Sequence, residues 1–222
     1  MKISPAVFIL ISIYIIPGIL VAQDTIFLRN RSFETKPRSG DKLPLNIHGW
    51  TDCGFPGESP VDIHPIPEMA GRPGLQVVDG QTYLGIVARS NATWEAVSQK
   101  LCRPLEPNKC YLFKASLAIV DSSISRNKRS PEHLESYPIA LQIWGGSDDC
   151  NRGQLLGKSL PVNNFNWQEN SFIFKPTATW DYILIEAFYY FPSNITEDEK
   201  VAYNGHILVD DLSPIIQISC EK

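Results

Sequence analysis

The side chains with the plainest chemical potential sit at Asp62-Ile63-His64. Two positions apart in an extended segment, this carboxylate and imidazole share one face. Asp52 and Glu58 are close enough in sequence to join them in a polar cluster. Two carboxylates at the right separation can hydrolyse a glycosidic bond, but solvated loop groups account for the same residues without any chemistry. His48, His133 and His206 show no His-Glu-x-x-His spacing, and the chain has no Gly-x-Ser-x-Gly elbow. A second kind of chemistry needs only rings. A flat exposed aromatic can meet the apolar C–H face of a sugar while a few polar groups fix its orientation. Trp94 emerges from the turn Ser90-Asn91-Ala92, Trp144 precedes Gly145-Gly146 at a strand end, and Tyr190 lies in Tyr189-Tyr190-Phe191. Core packing competes for each of these, and for Trp50 and Trp167 it is the stronger expectation.

Five cysteines, Cys53, Cys102, Cys110, Cys150 and Cys220, include no C-x-x-C pair, so zinc-ribbon and thioredoxin-type readings have no support. Cys102 and Cys110 flank the turn-like Arg-Pro-Leu-Glu-Pro-Asn-Lys and form the expected disulfide, joining two antiparallel strands. Buried free thiols are the alternative. The odd count leaves at least one thiol free or paired with another molecule.

These residues must be held by strands, because short apolar runs alternate with Gly/Pro/Asn/Asp/Ser clusters and amphipathic helical windows are missing. Strands are expected at 25–29, 76–78, 82–88, 93–101, 110–120, 138–144, 168–174, 182–191 and 206–211. Val, Ile, Tyr, Phe and Trp dominate them. In Tyr182–Phe188 apolar residues fall on both faces, which implies a strand covered on two sides. About nine strands without helical crossovers make an all-β jelly-roll sandwich. Of the long connections, 121–137 is polar and expected as a surface loop. The stretch 35–73 is aromatic enough to pack on the sandwich.

Residues 1–22 read as a signal peptide: Lys2, an apolar run from Ala6 to Ile16, the Pro17-Gly18 break, then Ala22 ahead of Gln23. An uncleaved membrane anchor is the rival, and the internal break and small terminal residue favour cleavage. Residues 23–222 then form one domain, and its roughly 200 residues suffice for a single core. Losing Lys2 takes the net charge from −4 to −5, and no basic stripe points to nucleic acid. No later segment is apolar for long enough to span a bilayer.

Three pieces in order resemble one known class: Asn30-Arg31-Ser32-Phe33-Glu34 with Gly49-Trp50, then Asp79–Gly85 with Trp94–Gln99, and finally Ile207-Leu208-Val209-Asp210-Asp211. This order resembles the galactose-binding-like jelly rolls, and among them the carbohydrate-binding modules found beside glycoside hydrolases. It looks closest to a branch of secreted Bacteroidetes proteins, some described as gliding-motility or cell-surface proteins. Members of the class often tie the first strand to the last with calcium. The resemblance therefore implies an ion on Glu34 and Asp210, with carbonyls near Ser32 and Gly80 completing the oxygen shell. Alternation sends Asp211 to the other face. The sequence is expected to encode a secreted, non-catalytic module binding a glycan or cell-surface component through Trp94, Trp144, Tyr190, Asp62 and His64. A structural or adhesion protein docking to another protein is the first rival, and a polysaccharide hydrolase the second.

Overall fold

Alternating Ile, Leu and Val along long strands gives each sheet one apolar face, and two such faces close on each other. The computed structural model describes residues 24–39, 47–66, 75–120, 122–127, 130–135, 137–191, 196 and 203–220. The expected signal segment, residues 1–22, lies outside them. Fourteen strands run in chain order: β1 (Thr25–Ile26), β2 (Thr51–Asp52), β3 (Asp62–His64), β4 (Tyr83–Ala88), β5 (Ala96–Leu105), β6 (Cys110–Ile119) and β7 (Ser122–Asn127). They continue as β8 (Ser130–Glu135), β9 (Ile139–Gly146), β10 (Gln154–Lys158), β11 (Gln168–Phe174), β12 (Trp180–Tyr189), β13 (Gly205–Asp210) and β14 (Ile215–Ile218).

Seven strands form one antiparallel sheet in the order β1-β14-β6-β13-β4-β3, with β11 on the other edge of β6. Five form the second, β10-β9-β12-β5-β2. The sheets pack face to face as a jelly-roll sandwich, and no helix occurs among the described residues. Inward residues follow the period of two: Phe113, Ala115 and Leu117 on β6 and Ile207 and Val209 on β13 meet Leu141 and Ile143 on β9 and Ile183 and Ile185 on β12. The second buried face of β12, anticipated from its sequence, is covered by something other than a sheet. Leu184 packs there with Ala96 and Cys53, under Trp144 and Cys150.

Three expectations are corrected. Cys102 and Cys110 do not pair; the disulfides are Cys53–Cys150 and Cys110–Cys220, and Cys102 is free and exposed. The turn between β5 and β6 carries the chain from one sheet to the other instead of closing a hairpin, so its flanking residues are not ladder partners. The polar stretch 121–137 contains the β7–β8 hairpin, a separate two-stranded sheet with Ser122 opposite Glu135. A backbone ladder can form there without contributing to either of the two large sheets. Residues 76–78 form no strand. Leu75 and Val77 instead lay their side chains on Tyr83, Ala118 and Leu208 outside the seven-stranded sheet. The 35–73 stretch does pack on the sandwich, supplying β2 and β3 to one edge of each sheet.

Candidate functional site

The outward face of the five-stranded sheet is built around one carboxylate. Register places Glu186 of β12 between Ala96 of β5 and Gln142 of β9, and Leu184 between Ser98 and Trp144. Glu186 is only 1% exposed. A buried carboxylate must find donors, and three side chains supply them. The Trp144 Nε1–H donates to Oε1 at 2.6 Å, while the Trp94 Nε1–H and Arg152 Nε–H donate to Oε2 at 2.9 and 2.6 Å. Glu186 therefore fixes two indoles and a guanidinium on one face, and both indoles remain half-exposed.

Around this post the aromatics form an edge-to-face row. Phe55 meets Trp94 at 4.9 Å and Phe188 meets it at 5.1 Å, at interplanar angles of 77° and 76°. Lys158 lies over the rings of Phe188 and Tyr190, with Nζ 5.6 and 5.8 Å from their centroids. Tyr190 keeps 39% of its surface exposed and Phe55 37%. The structure thus brings together Trp94, Trp144 and Tyr190, which the sequence had offered separately. It adds Glu186, Arg152, Phe188, Phe55 and Lys158, which the sequence reading missed. A lone Glu inside Ile-Leu-Ile-Glu-Ala-Phe was the available signal, since a charge there needs partners.

Asp62 and His64 are not on this face. They belong to β3 in the other sheet, where they meet His206 of β13. Asp52 and Glu58, offered as possible partners for them, have neighbours of their own. Asp52 caps the Gly54 amide beside the five-stranded sheet, and Glu58 accepts a bond from the Asn91 side-chain amide. Trp50 is a core residue, as expected, packed 5.2 Å from Phe33 with its Nε1–H on the Asn30 carbonyl. Trp167 lies outside the seven-stranded sheet against Tyr83.

Glu34 and Asp210 do converge, on a loop. Glu34 Oε1 accepts the amides of Gln81 and Thr82 at 2.9 and 3.1 Å. Asp210 Oδ2 accepts those of Val78 and Asp79 at 2.8 and 3.2 Å, and its Oδ1 accepts the Asp211 amide. Burial, partly offset by these amides, pushes the Asp210 carboxyl up to about 6. Ser32 Oγ donates to Asp79, and Arg31 bridges Asp79 and Asp211. A calcium ion takes six to eight oxygens; the hydrogen bonds to these two carboxylates come from backbone amides. Among the described residues neither belongs to a group of three metal-ligand side chains. Asp210 is fully buried and Asp211 is not, as alternation required.

No family model and no curated protein matches the sequence. Among solved structures, the CBM22-1 xylan-binding domain from Paenibacillus barcinonensis Xyn10C is 16% identical with a TM-score of 0.47, over 90% of this chain and 98% of that one. TmCBM61 in complex with β-1,4-galactotriose is 14% identical with a TM-score of 0.39, over 85% and 97%. The K3 cleaved adhesin domain of Lys-gingipain from Porphyromonas gingivalis is 10% identical with a TM-score of 0.38, over 77% and 92%. These likenesses concern strand arrangement and say nothing of what this chain binds.

Proposed function

We propose that this chain is an exported, non-catalytic module that binds a carbohydrate on the outward face of the five-stranded sheet. The observation that carries the reading is Glu186, which holds Trp94, Trp144 and Arg152 in fixed orientations beside Phe188, Lys158 and Tyr190. Rings fixed in advance lose little entropy when a sugar stacks on them, and the neighbouring cations and Gln142 supply hydroxyl partners. Export is supported by two disulfides, which persist in oxidising compartments. No helix among the described residues is long and apolar enough to cross a membrane.

A hydrolytic role finds less support. Among the described residues the two most buried glutamates are each closed by an arginine and further N–H donors: Glu186 as above, and Glu95 by Arg89 and the Val87 amide. Neither is presented as one of a pair of acids flanking a cleft.

A glycan-array screen of the untagged mature protein, followed by calorimetry with the best ligand, tests the proposal. Trp144→Ala and Tyr190→Ala should each weaken binding about five- to tenfold, one stacked ring being worth roughly 1–1.5 kcal/mol. Absence of binding across the array, or unchanged affinity in both folded variants, overturns it.

A further inference from the structure

On the outward face of the seven-stranded sheet, adjacent strands bring a carboxylate and two imidazoles to one point. β3 supplies Asp62 and His64, β13 supplies His206, and β4 runs between them. In register, Asp62 stands opposite Gly85, His64 opposite Tyr83, and His206 opposite Val87. Gly85 is the notch into which both imidazoles lean. A Cβ there would come within 2.5 Å of His206 Nε2 and 2.8 Å of His64 Nε2. Glycine weakens a strand interior, and its presence there marks a close approach of other groups. One ligand atom from each of Asp62, His64 and His206 lies within 4.8 Å of the other two. His64 is 4% and His206 2% exposed, and the His64 Nε2 is a buried nitrogen that makes no hydrogen bond among the described residues. Such an atom calls for an explanation.

We propose that Asp62, His64 and His206 bind one divalent transition-metal ion of the zinc class above Gly85. Two imidazole nitrogens and a carboxylate oxygen suit a borderline cation such as zinc, whereas calcium and magnesium prefer oxygen throughout. Bonds of about 2.0–2.2 Å place tetrahedral ligand atoms about 3.3–3.5 Å apart. Ion binding would draw the three atoms, now within 4.8 Å of one another, somewhat closer together. Burial of both imidazoles favours their neutral, ligating form. Arg89, whose charge also acts on His206, is engaged by Glu95 and Glu58. Three protein ligands leave a coordination position for water or an incoming donor. The site lies on the opposite sheet from the aromatic face, so it stands or falls independently of glycan binding.

The test uses the untagged mature protein, stripped with chelator, dialysed and titrated with zinc chloride in a calorimeter. One zinc per chain is expected, and cobalt(II) in its place should give visible absorption of tetrahedral intensity. Asp62→Asn, His64→Gln and His206→Gln should each weaken zinc binding at least about tenfold, since even outer-shell changes cost about 10–100-fold. His48→Gln should bind like the wild type. Should either buried-histidine variant fail to fold, Asp62→Asn, at a half-exposed position, still decides the matter. Absence of stoichiometric zinc binding by the wild type overturns the proposal. So does zinc affinity unchanged in Asp62→Asn or in a folded His64→Gln.

Discussion

At the scale of single residues, the buried carboxylates Glu95, Glu186 and Asp210 are each met by N–H donors. Glu186 receives two indole N–H groups and one guanidinium N–H. Glu186→Gln would set an amide NH2 against N–H donors and leave Arg152 without its counter-charge. A loss of about 1–3 kcal/mol in urea unfolding is expected, together with weaker glycan binding. Equal stability of variant and wild type would show that the indoles are held by packing alone. The buried histidines give a signed pH effect. His64 and His206 titrate near 3 and 4 in the fold, mainly because burial disfavours their charged forms, and near 6.5 once unfolded. As pH falls from 6.5 towards 4, the unfolded chain binds protons that the fold refuses, so this contribution is lost. Asp210, raised to about 6, acts oppositely, because the fold holds its proton below that pH while the unfolded chain still releases it. Unfolding curves of chelator-stripped wild type and His64→Gln at pH 7, 5.5 and 4 isolate the histidine. The variant's acid loss should be shallower by about 1 kcal/mol per pH unit.

At the scale of elements, the loop joining the 75–77 segment to β4 is gripped from two sides. Glu34 takes the amides of Gln81 and Thr82, and Asp210 those of Val78 and Asp79. One carboxylate comes from near the first strand and one from the thirteenth. The loop therefore cross-links the two ends of the chain without a covalent bond. Gly80 sits at its centre with φ of +73°, and a Cβ there would overlap Glu34 Oε1. Gly80→Ala should lower stability by about 1–3 kcal/mol, read as a fall in melting midpoint. Melting curves in chelator and in millimolar calcium ask whether an ion shares the work. The amide clamp by itself predicts one midpoint in both. An ion held by Glu34 and Asp210 would instead raise the midpoint, by about 2.7 kcal/mol of stability at a hundred times its dissociation constant.

Across the whole molecule, two covalent ties act over long spans of chain. Cys110–Cys220 links the start of β6 to the segment after β14 across a sequence separation of 110, and Cys53–Cys150 spans 97. Closing loops of this length removes much freedom from the unfolded chain, in the entropic account about 4–5 kcal/mol for each. The double variant Cys110→Ala/Cys220→Ala should lose stability on that order in urea unfolding. Peptide mapping without reduction should recover both linked pairs and a Cys102 that alkylates in the native protein. A Cys102–Cys110 peptide would refute this pairing.

Local pattern determined a good deal of this protein. Apolar, β-branched and aromatic runs located the long strands, β6, β9, β12 and β13 among them, because such residues suit a pleated surface whatever the partner strand is. Alternation also put Asp210 and Asp211 on opposite faces, the resemblance picked Asp210 as the buried one, and five cysteines left one without an intramolecular partner. The extended form of Asp62–His64 was legible, but a short edge strand such as β2 was not, since two residues carry too little pattern and take their form from the strand beside them. Pairing across the fold was decided only by tertiary structure. Cys110 found Cys220 because β6 and β14 are neighbours in one sheet, while the nearby Cys102 belongs to the other. The sites followed the same logic. Trp94, Trp144 and Glu186 lie on three different strands or turns, and Asp62 and His64 are over 140 residues from His206. Register across the sheets assembled both groups, and register depends on the packing of the whole sandwich.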